Sequence, residues 1–244
     1  MNLLYYEAVR IYDSLYFKIN SGKLALDYDL PNDFSVTFHA GAMHTKPNTI
    51  RSIKAAIDAN AQIIEIDVSF RPDGTPVIIH NAQPNGGQGV LLEKALEAVA
   101  ETKSCKLNLD IKSTNNLGAI DKLAESFGLR ERVFYTGVFK DWVETVKSSS
   151  GIPYFLNHDI TERESVDSSA AQAVADYAKQ LGAIGINSNY RYAEKLFADV
   201  MHQNNLLLSL WTVNEPSDMP KALKISPDNI TTKRPVLLRK IAGI

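Results

Sequence analysis

The sequence predicts one closed barrel of eight parallel strands with helices around it, and three observations lead to this fold class. Short runs of β-branched and apolar residues alternate with segments of helical spacing, which is the pattern of a parallel sheet with helical crossovers. There are eight such runs within residues 35–244, a number that a doubly wound sheet does not need. No linker rich in Pro, Gly or Ser divides the chain. We therefore predict a (β/α)8 TIM barrel with a β-hairpin extension after the second strand.

The strands are predicted where Val, Ile, Leu, Phe and Tyr concentrate, and the helices where apolar residues recur at helical spacing or helix-forming residues dominate. The eight strands, in chain order, are Val36–His39, Ile63–Ser69, Lys106–Lys112, Val133–Thr136, Pro153–Asn157, Ile184–Asn187, Leu206–Thr212 and Ile230–Thr232. The helices are Asn48–Asn60, Leu91–Glu101, Leu117–Phe127, Lys140–Ser148, Asp167–Leu181, Tyr192–Gln203, Ser217–Ile225 and Val236–Ile244.

A tight turn follows the second strand. In Pro72-Asp73-Gly74, proline pre-sets φ, aspartate can bond to the backbone and glycine accepts a positive φ, so the chain is expected to fold back as a hairpin. If Arg71 pairs with Pro76, His80 stands opposite Asp67, although a change of one residue in the loop would shift this register. The hairpin therefore predicts a histidine beside a carboxylate.

The composition excludes several classes of function. Lysine and arginine number 26 against 28 acidic residues, and no basic cluster interrupts this balance, so a nucleic-acid partner is not expected. Cys105 is the only cysteine, which rules out an internal disulfide and a cysteine-based zinc site. Its apolar neighbours predict a buried hydrophobic side chain rather than a nucleophile.

Residues 1–34 are expected to form an N-terminal extension packed on the barrel, which occupies residues 35–244. An amphipathic helix is predicted in the extension from its apolar residues, which are Leu3, Leu4, Tyr5, Tyr6, Val9, Tyr12, Leu15 and Tyr16. The given chain has no signal-peptide pattern and no run of 18 apolar residues. These observations predict a cytoplasmic protein without an integral membrane segment.

Polar residues stand at the carboxyl ends of the predicted strands, where β/α barrels hold their chemistry. Glu65 and Asp67 alternate with apolar residues on the second strand and therefore project from one face, and Asp110 follows on the third. Because three neighbouring carboxylates repel one another, they share protons or bind a cation, and hard oxygen ligands favour Mg²⁺ or Ca²⁺. Lys112 lies on the same face as Asp110 and would add a positive charge for a phosphate. The remaining strand ends carry His39, Asn157, Asn187, Asn189, Trp211 and Asn214.

An ordered set of motifs resembles the glycerophosphodiester phosphodiesterase family over about residues 35–240. These motifs are Phe38-His39-Ala40-Gly41, Pro47-Asn48-Thr49, Glu65-Ile66-Asp67-Val68, Arg71-Pro72-Asp73-Gly74, His80-Asn81, Leu107-Asn108-Leu109-Asp110-Ile111-Lys112 and Trp211-Thr212-Val213-Asn214. The resemblance implies a β/α barrel with one divalent cation held by Glu65, Asp67 and Asp110. It also implies that His39 and His80 are the acid–base pair. Lys112, Trp211 and Asn187 are predicted to bind the substrate and its phosphate.

The chain departs from the family pattern at several positions. Ala40 stands where the family usually has a phosphate-binding arginine, and Asn81 where it usually has aspartate. The element at 47–49 is one residue short, and the third predicted metal ligand, Asp110, is more often glutamate. The insertion after the second histidine is reduced to Ala82–Gly89. Asp110 and the shortened insertion after the second histidine also resemble the sphingomyelinase D-like branch of the superfamily.

The sequence therefore predicts a metal-dependent phosphodiesterase that cleaves glycerophosphodiesters or related lipid-derived diesters. Two alternatives stay open at this point. One is a cyclising lyase of the phospholipase D or sphingomyelinase D type that acts on lysophospholipids. The other is a catalytically weakened barrel that binds a phosphorylated ligand, which the loss of the arginine at Ala40 suggests.

Overall fold

The computed structural model describes residues 3–24 and 27–244, and the predicted (β/α)8 barrel is confirmed. Eight parallel strands form the wall, and β1 closes it because it pairs with both β10 and β2. The strands are β1 (Ser35–Phe38), β2 (Ile63–Phe70), β3 (Pro76–Ile78), β4 (Val90–Leu91), β5 (Lys106–Ile111), β6 (Val133–Val138), β7 (Tyr154–Asn157), β8 (Gly185–Asn189), β9 (Leu207–Trp211) and β10 (Asn229–Thr232). The eight strands other than β3 and β4 form the barrel, and each of these eight overlaps a predicted strand.

The described helices are α1 (Leu3–Leu24), α2 (Ile50–Asp58), α3 (Leu92–Ala100), α4 (Leu117–Ser126), α5 (Val143–Ser149), α6 (Glu162–Val166), α7 (Ser168–Leu181), α8 (Lys195–Gln203), α9 (Met219–Lys224) and α10 (Pro235–Ala242). Two elements are not among the predicted ones. The first is α6, a short helix that begins with a capping box between Thr161 and Glu164. The second is the two-residue strand β4, which pairs with β3 and makes the extension three-stranded.

The hairpin after β2 forms, but its register is one residue away from the predicted one. Phe70, and not Arg71, is the ladder partner of Pro76. The turn explains the difference: Gly74 has a φ of 81°, and the amide of Arg71 donates to the carbonyl of Thr75 at 3.0 Å. This left-handed residue closes a three-residue loop between Arg71 and Thr75, one residue shorter than expected.

His80 reaches the carboxylate of Asp67 in spite of the shifted register. In the observed pairing the residue opposite Asp67 is Ile79, whose amide donates to the Asp67 carbonyl at 2.9 Å. The strand β3 ends at Ile78, and the chain then leaves the ladder. His80 is thus free to turn towards the barrel, and its Nδ1 lies 3.2 Å from Asp67 Oδ1.

Burial on both faces of the wall explains why the strands read as nearly continuous apolar runs. All eight residues of β2 are buried, including its two carboxylates. Cys105 is 5% exposed, as predicted for a small hydrophobic residue, and burial raises the pKa of its thiol to about 11. Within the barrel, Asn229 Nδ2 donates to Thr37 Oγ1 at 2.8 Å, and Ser209 Oγ donates to Asn229 Oδ1 at 3.2 Å. This polar layer lies below the end of the barrel that carries the acidic residues.

The helix α1 lies against α10 and is tied to it by polar contacts. Lys240 Nζ donates to Ser14 Oγ at 2.7 Å, and Arg234 forms an ion pair with the buried Asp13. The Arg234 guanidinium also lies 5.6 Å from the centre of the Tyr12 ring. The division at residue 34 stays a prediction.

Part of the predicted amphipathic pattern of α1 can be compared with the structure. The side chains of Leu3, Leu4, Tyr5, Tyr6 and Val9 lie outside the described part of the chain. Tyr16 packs against the core, whereas Leu15 is exposed. Over residues 3–24 and 27–244, no helix combines the length and apolar character that crossing a bilayer requires.

Candidate active site

A cavity of about 400 Å³ opens at the carboxyl end of the barrel strands. Every barrel strand contributes at least one residue at or near its end, which is where β/α barrels place reacting groups. The lining residues are His39, Glu65, Asp67, His80, Ala82, Asn108, Asp110, Ile111, Lys112, Thr136, Gly137, Phe139, Trp142, Asn157, Asn187, Trp211, Thr212 and Thr231. All eight residues predicted for the site are among them.

Three carboxylates meet on one side of this cavity. Glu65 and Asp67 lie on β2, and Asp110 is the register partner of Asp67 on the neighbouring strand β5. One oxygen from each lies within 4.8 Å of the others. Glu65 and Asp67 are only 4% and 6% exposed. Three hard oxygen donors at this separation fit a divalent cation such as Mg²⁺ or Ca²⁺.

Neighbouring donors hold the carboxylates in place. The backbone amide of Ala40 donates to Glu65 Oε2 at 2.6 Å. Asn48 binds Asp67 twice, because its Nδ2 donates to Oδ2 at 2.7 Å and its Oδ1 accepts from the Asp67 amide at 3.0 Å. Asn48 has a φ of 55°, a left-handed conformation that asparagine adopts more readily than most residues. The side chains therefore have fixed orientations towards the cavity.

Lys112 is the cation that faces this cluster. Its Nζ lies 2.9 Å from Asp67 Oδ1 and 2.6 Å from Asp110 Oδ2. Burial lowers the pKa of Lys112, but the two carboxylates outweigh burial and the net pKa is raised. The lysine therefore carries its charge at neutral pH and shows that the cluster attracts cations.

The three carboxylates differ in their affinity for protons. Burial, followed by the charges of Asp110 and Asp67, raises the pKa of Glu65 well above its ordinary value. Burial also raises the pKa of Asp110, against the opposing effect of Lys112. Burial would raise the pKa of Asp67 as well. The hydrogen bond from Asn48 and the charge of Lys112 outweigh burial, however, and the net pKa of Asp67 is lowered. Repulsion and burial thus disfavour three ionised groups unless a cation binds.

Two histidines flank the cluster. His39 Nδ1 lies 2.9 Å from the carbonyl of Ala40 and 3.8 Å from Glu65 Oε2. The carbonyl can only accept, so Nδ1 carries the proton and Nε2 has a free lone pair. Burial is the main cause that lowers the pKa of His39. On the other side, His80 is largely exposed and contacts Asp67.

Comparison with known proteins identifies the family. The model of the glycerophosphoryl diester phosphodiesterase family matches residues 39–85 and 83–237. This chain belongs to that family. It is therefore a phosphodiesterase, a phosphoric diester hydrolase. A protein of Caldanaerobacter subterraneus subsp. tengcongensis named glycerophosphodiester phosphodiesterase is 24% identical over 241 residues, which cover 83% of this chain and 95% of that protein.

Solved structures share the fold of this phosphodiesterase. A Silicibacter pomeroyi protein has a TM-score of 0.72 at 18% identity, covering 88% of this chain and 95% of that one. An Oleispira antarctica phosphodiesterase, solved in complex with the product sn-glycerol-3-phosphate, has a TM-score of 0.69 at 15% identity. The match covers 88% of this chain and 98% of that one.

A glycine in the phosphodiesterase lets β6 approach the third carboxylate. Gly137 has a φ of 75° and lies at an irregularity in the pairing of β6 with β7. A Cβ at this position would overlap Asp110 Oδ1 and lie 2.5 Å from the carbonyl oxygen of Ile111. The Gly137 amide donates to Asn157 Oδ1 at 2.9 Å, and Asn187 Nδ2 donates to the same oxygen at 3.1 Å. Asn187 therefore braces the strand end beside the cluster as well as lining the cavity.

Aromatic side chains form the remaining walls. Phe139 and Trp142 follow β6 and pack edge to face with ring centres 6.3 Å apart, and Phe139 is 52% exposed at the mouth. Trp211 lies at the end of β9, and its Nε1 is buried without a hydrogen-bond partner among the described residues. A buried donor without a partner is costly, and the Trp211 residue itself lines the cavity.

Four residues contribute to the site without having been predicted there: Asn48, Gly137, Phe139 and Trp142. Asn48 carried a usable signal, since an asparagine just before a helix in a loop at the active end of a barrel is a candidate for a left-handed backbone and side-chain bonding. The other three depend on the irregular end of β6, which the sequence does not mark. His158 and His202, by contrast, pair with Glu164 and Asp228 and do not line the cavity.

Proposed function

We propose that this phosphodiesterase cleaves glycerophosphodiesters or related lipid-derived phosphodiesters in the cavity at the carboxyl end of the barrel. The single observation that carries this proposal is the placement of His39 and His80 beside a cluster of three carboxylates, each next to a different one of them. We further propose that Glu65, Asp67 and Asp110 hold one divalent cation, Mg²⁺ or Ca²⁺. The expected partner is a small diester and not a nucleic acid, and a cytoplasmic location stays a prediction.

A cation at this cluster would supply Lewis-acid polarisation of a phosphoryl oxygen. The protein supplies charge and proton transfer. Lys112 adds a positive charge that stabilises the extra negative charge of the transition state. Trp211 and Asn187 line the cavity and are proposed as further contacts to the substrate. His39 is suited to accept a proton, because its pKa is lowered mainly by burial and its Nε2 has a free lone pair.

The proposed reaction has two steps. In the first step a hydroxyl next to the diester gives its proton to His39 Nε2, its oxygen bonds to phosphorus, and the bond from phosphorus to the leaving oxygen breaks. His80 protonates that leaving oxygen. An intramolecular nucleophile arrives already oriented, which gives it a high effective concentration. Water then opens the cyclic phosphate with the proton transfers reversed.

Turnover of a diester panel tests this function. Glycerophosphocholine, glycerophosphoethanolamine, lysophosphatidylcholine and bis(p-nitrophenyl) phosphate should be incubated with the protein and Mg²⁺ or Ca²⁺, and phosphorus NMR should follow the products. We expect a cyclic phosphate to appear before the monoester, and the nitrophenyl diester, which lacks a neighbouring hydroxyl, to react poorly. Equal rates for all diesters with only monoester formed would contradict the cyclising step.

A second candidate, cyclising cleavage of lysophospholipids, is supported by the aromatic wall of the exposed Phe139 and the half-buried Trp142, on which a single acyl chain could lie. The same panel separates it from the first, because lysophosphatidylcholine would then react faster than glycerophosphocholine and stop at the cyclic product. Tight binding of a phosphorylated ligand without turnover of any diester would instead support the catalytically weakened barrel.

Cation binding should depend on pH in a direction that the carboxylates determine. The raised pKa of Glu65 keeps this group protonated to a higher pH than usual, and a cation must displace that proton. The affinity for Mg²⁺ should therefore rise with pH until the raised pKa is passed, and then level off. Titration calorimetry at about pH 5 and about pH 8, in two buffers of different ionisation enthalpy, measures both the affinity and the released proton. A constant affinity without proton release would contradict the expectation.

A further inference from the structure

Lys233 occupies a position next to β10 that is equivalent to the position of His39 next to β1. His39 directly follows β1 and Lys233 directly follows the neighbouring strand β10, where Phe38 and Thr232 are register partners. The amide of His39 donates to the carbonyl of Thr232 at 3.1 Å. Thr231, two residues before Lys233, lines the cavity. Lys233 therefore follows a strand that ends at the cavity, and its backbone lies beside that of His39, which lines the cavity.

The backbone of Lys233 is fixed, whereas its side chain is not engaged. Its amide donates to Asn214 Oδ1 at 2.8 Å, and its carbonyl accepts from the Met43 amide at 3.3 Å. The side chain is exposed, and it has no ion pair or hydrogen bond with any residue that the structure describes. Burial is the main cause of the lowered pKa of His39, but the charge of Lys233 also lowers it. The ammonium group is thus close enough to act electrostatically on the site.

With a diester bound, the site would carry one negative charge that no group described so far balances. A divalent ion together with Lys112 would neutralise the three carboxylates when all are ionised, and a bound diester then adds one negative charge. Lys112 already contacts two of those carboxylates. Position 40 provides no cation, because Ala40 is buried and contributes its backbone amide to Glu65.

We infer that Lys233 supplies the positive charge that binds the phosphate of the substrate, while Lys112 mainly balances the carboxylates. This inference rests on the proposed function and adds to it a binding residue from β10. The flexible side chain of an exposed lysine beside His39 has enough reach and freedom for its ammonium group to contact a phosphoryl oxygen that also faces the cation and Lys112.

The test compares Lys233→Ala and Lys233→Met with wild type, with Lys233→Arg as the conservative variant and Lys224→Ala as control. Lys224 is an exposed lysine at the end of α9 that does not line the cavity. The first measurement is binding of inorganic phosphate by calorimetry with Mg²⁺ in excess. The second is the separate determination of KM and kcat on a diester that wild type turns over. Thermal unfolding shows that each variant is folded.

Loss of the charge should weaken phosphate binding and raise KM by about tenfold, with kcat changed by less than about threefold, since a lost charged contact to the ground state raises KM. Lys233→Arg should restore both values, and Lys224→Ala should match wild type. Wild-type phosphate affinity in Lys233→Ala and Lys233→Met would overturn the inference, as would the failure of wild type to bind phosphate. If wild type binds phosphate but cleaves no diester, the proposed function fails, and the phosphate measurement still decides the role of Lys233.

Discussion

Replacement of His39 or of His80 by alanine should each lower kcat by roughly 10²–10⁴, which is the usual contribution of a positioned proton-transfer group. His39 Nδ1 lies 3.8 Å from Glu65 Oε2, and His80 Nδ1 lies 3.2 Å from Asp67 Oδ1. Both histidines therefore lie beside the same cluster of carboxylates. Because the two groups act in one transfer, the double variant should lose much less than the product of the two single losses. Steady-state kinetics on the best diester of the panel measures these effects.

His158→Ala is the matched control for the two histidines. His158 follows β7 at the same end of the barrel, but it pairs with Glu164 and does not line the cavity. Its substitution should leave kcat within about twofold, as expected for a partly exposed ion pair remote from the chemistry. Wild-type kcat in His39→Ala or in His80→Ala would remove that residue from the mechanism, provided that thermal unfolding is unchanged.

The second large effect concerns the cation. Asp67→Asn and Asp110→Asn should each weaken Mg²⁺ or Ca²⁺ binding by more than the roughly 10–100-fold that the loss of a supporting residue costs, because each variant removes a charged ligand from a set of three. Calorimetric titration after chelation measures the affinity, and wild type is expected to show one site. Activity should be lost in parallel.

Stability in the presence of chelator separates loss of a ligand from loss of the fold. The pKa of Asp110 is raised by burial, so its ionised form is disfavoured in the folded protein without a cation, and Asp110→Asn should unfold at the same or a higher temperature than wild type. Asp141→Asn serves as control, since Asp141 is an exposed carboxylate at the same barrel end that does not line the cavity. If wild type binds neither ion even with a phosphate analogue present, the proposed metal site is wrong.

The barrel strands could be predicted because burial on both faces makes each of them a short apolar run bounded by turn residues. The run around Ile63–Phe70 shows this most clearly, since every residue in it is buried. Elements stabilised by tertiary contacts were missed. The strand β4 has only two residues and is stabilised by its pairing with β3. The helix α6 has only five residues, and the polar residues of its capping box are also typical of loops.

The candidate site could be predicted where chemistry follows strand ends. Glu65, Asp67 and Asp110 are charged residues in apolar strands, and this conflict with burial is visible in the sequence. The hairpin register could not be predicted, because one residue in the left-handed conformation at Gly74 changes the loop length and therefore every pairing after it. His80 still meets Asp67 because the ladder ends before it.

The sequence by itself determined the barrel class, the order of its strands and the residues that project from their carboxyl ends, because these depend on local periodicity and on the parallel arrangement of strands. Only the tertiary structure decided which neighbours act on those residues. Asn48 bonds to Asp67, Gly137 gives Asp110 its space, and Lys233 comes beside His39. These contacts join chain segments that are far apart in sequence or irregular in backbone, and their energies arise from packing and electrostatics that no local pattern encodes.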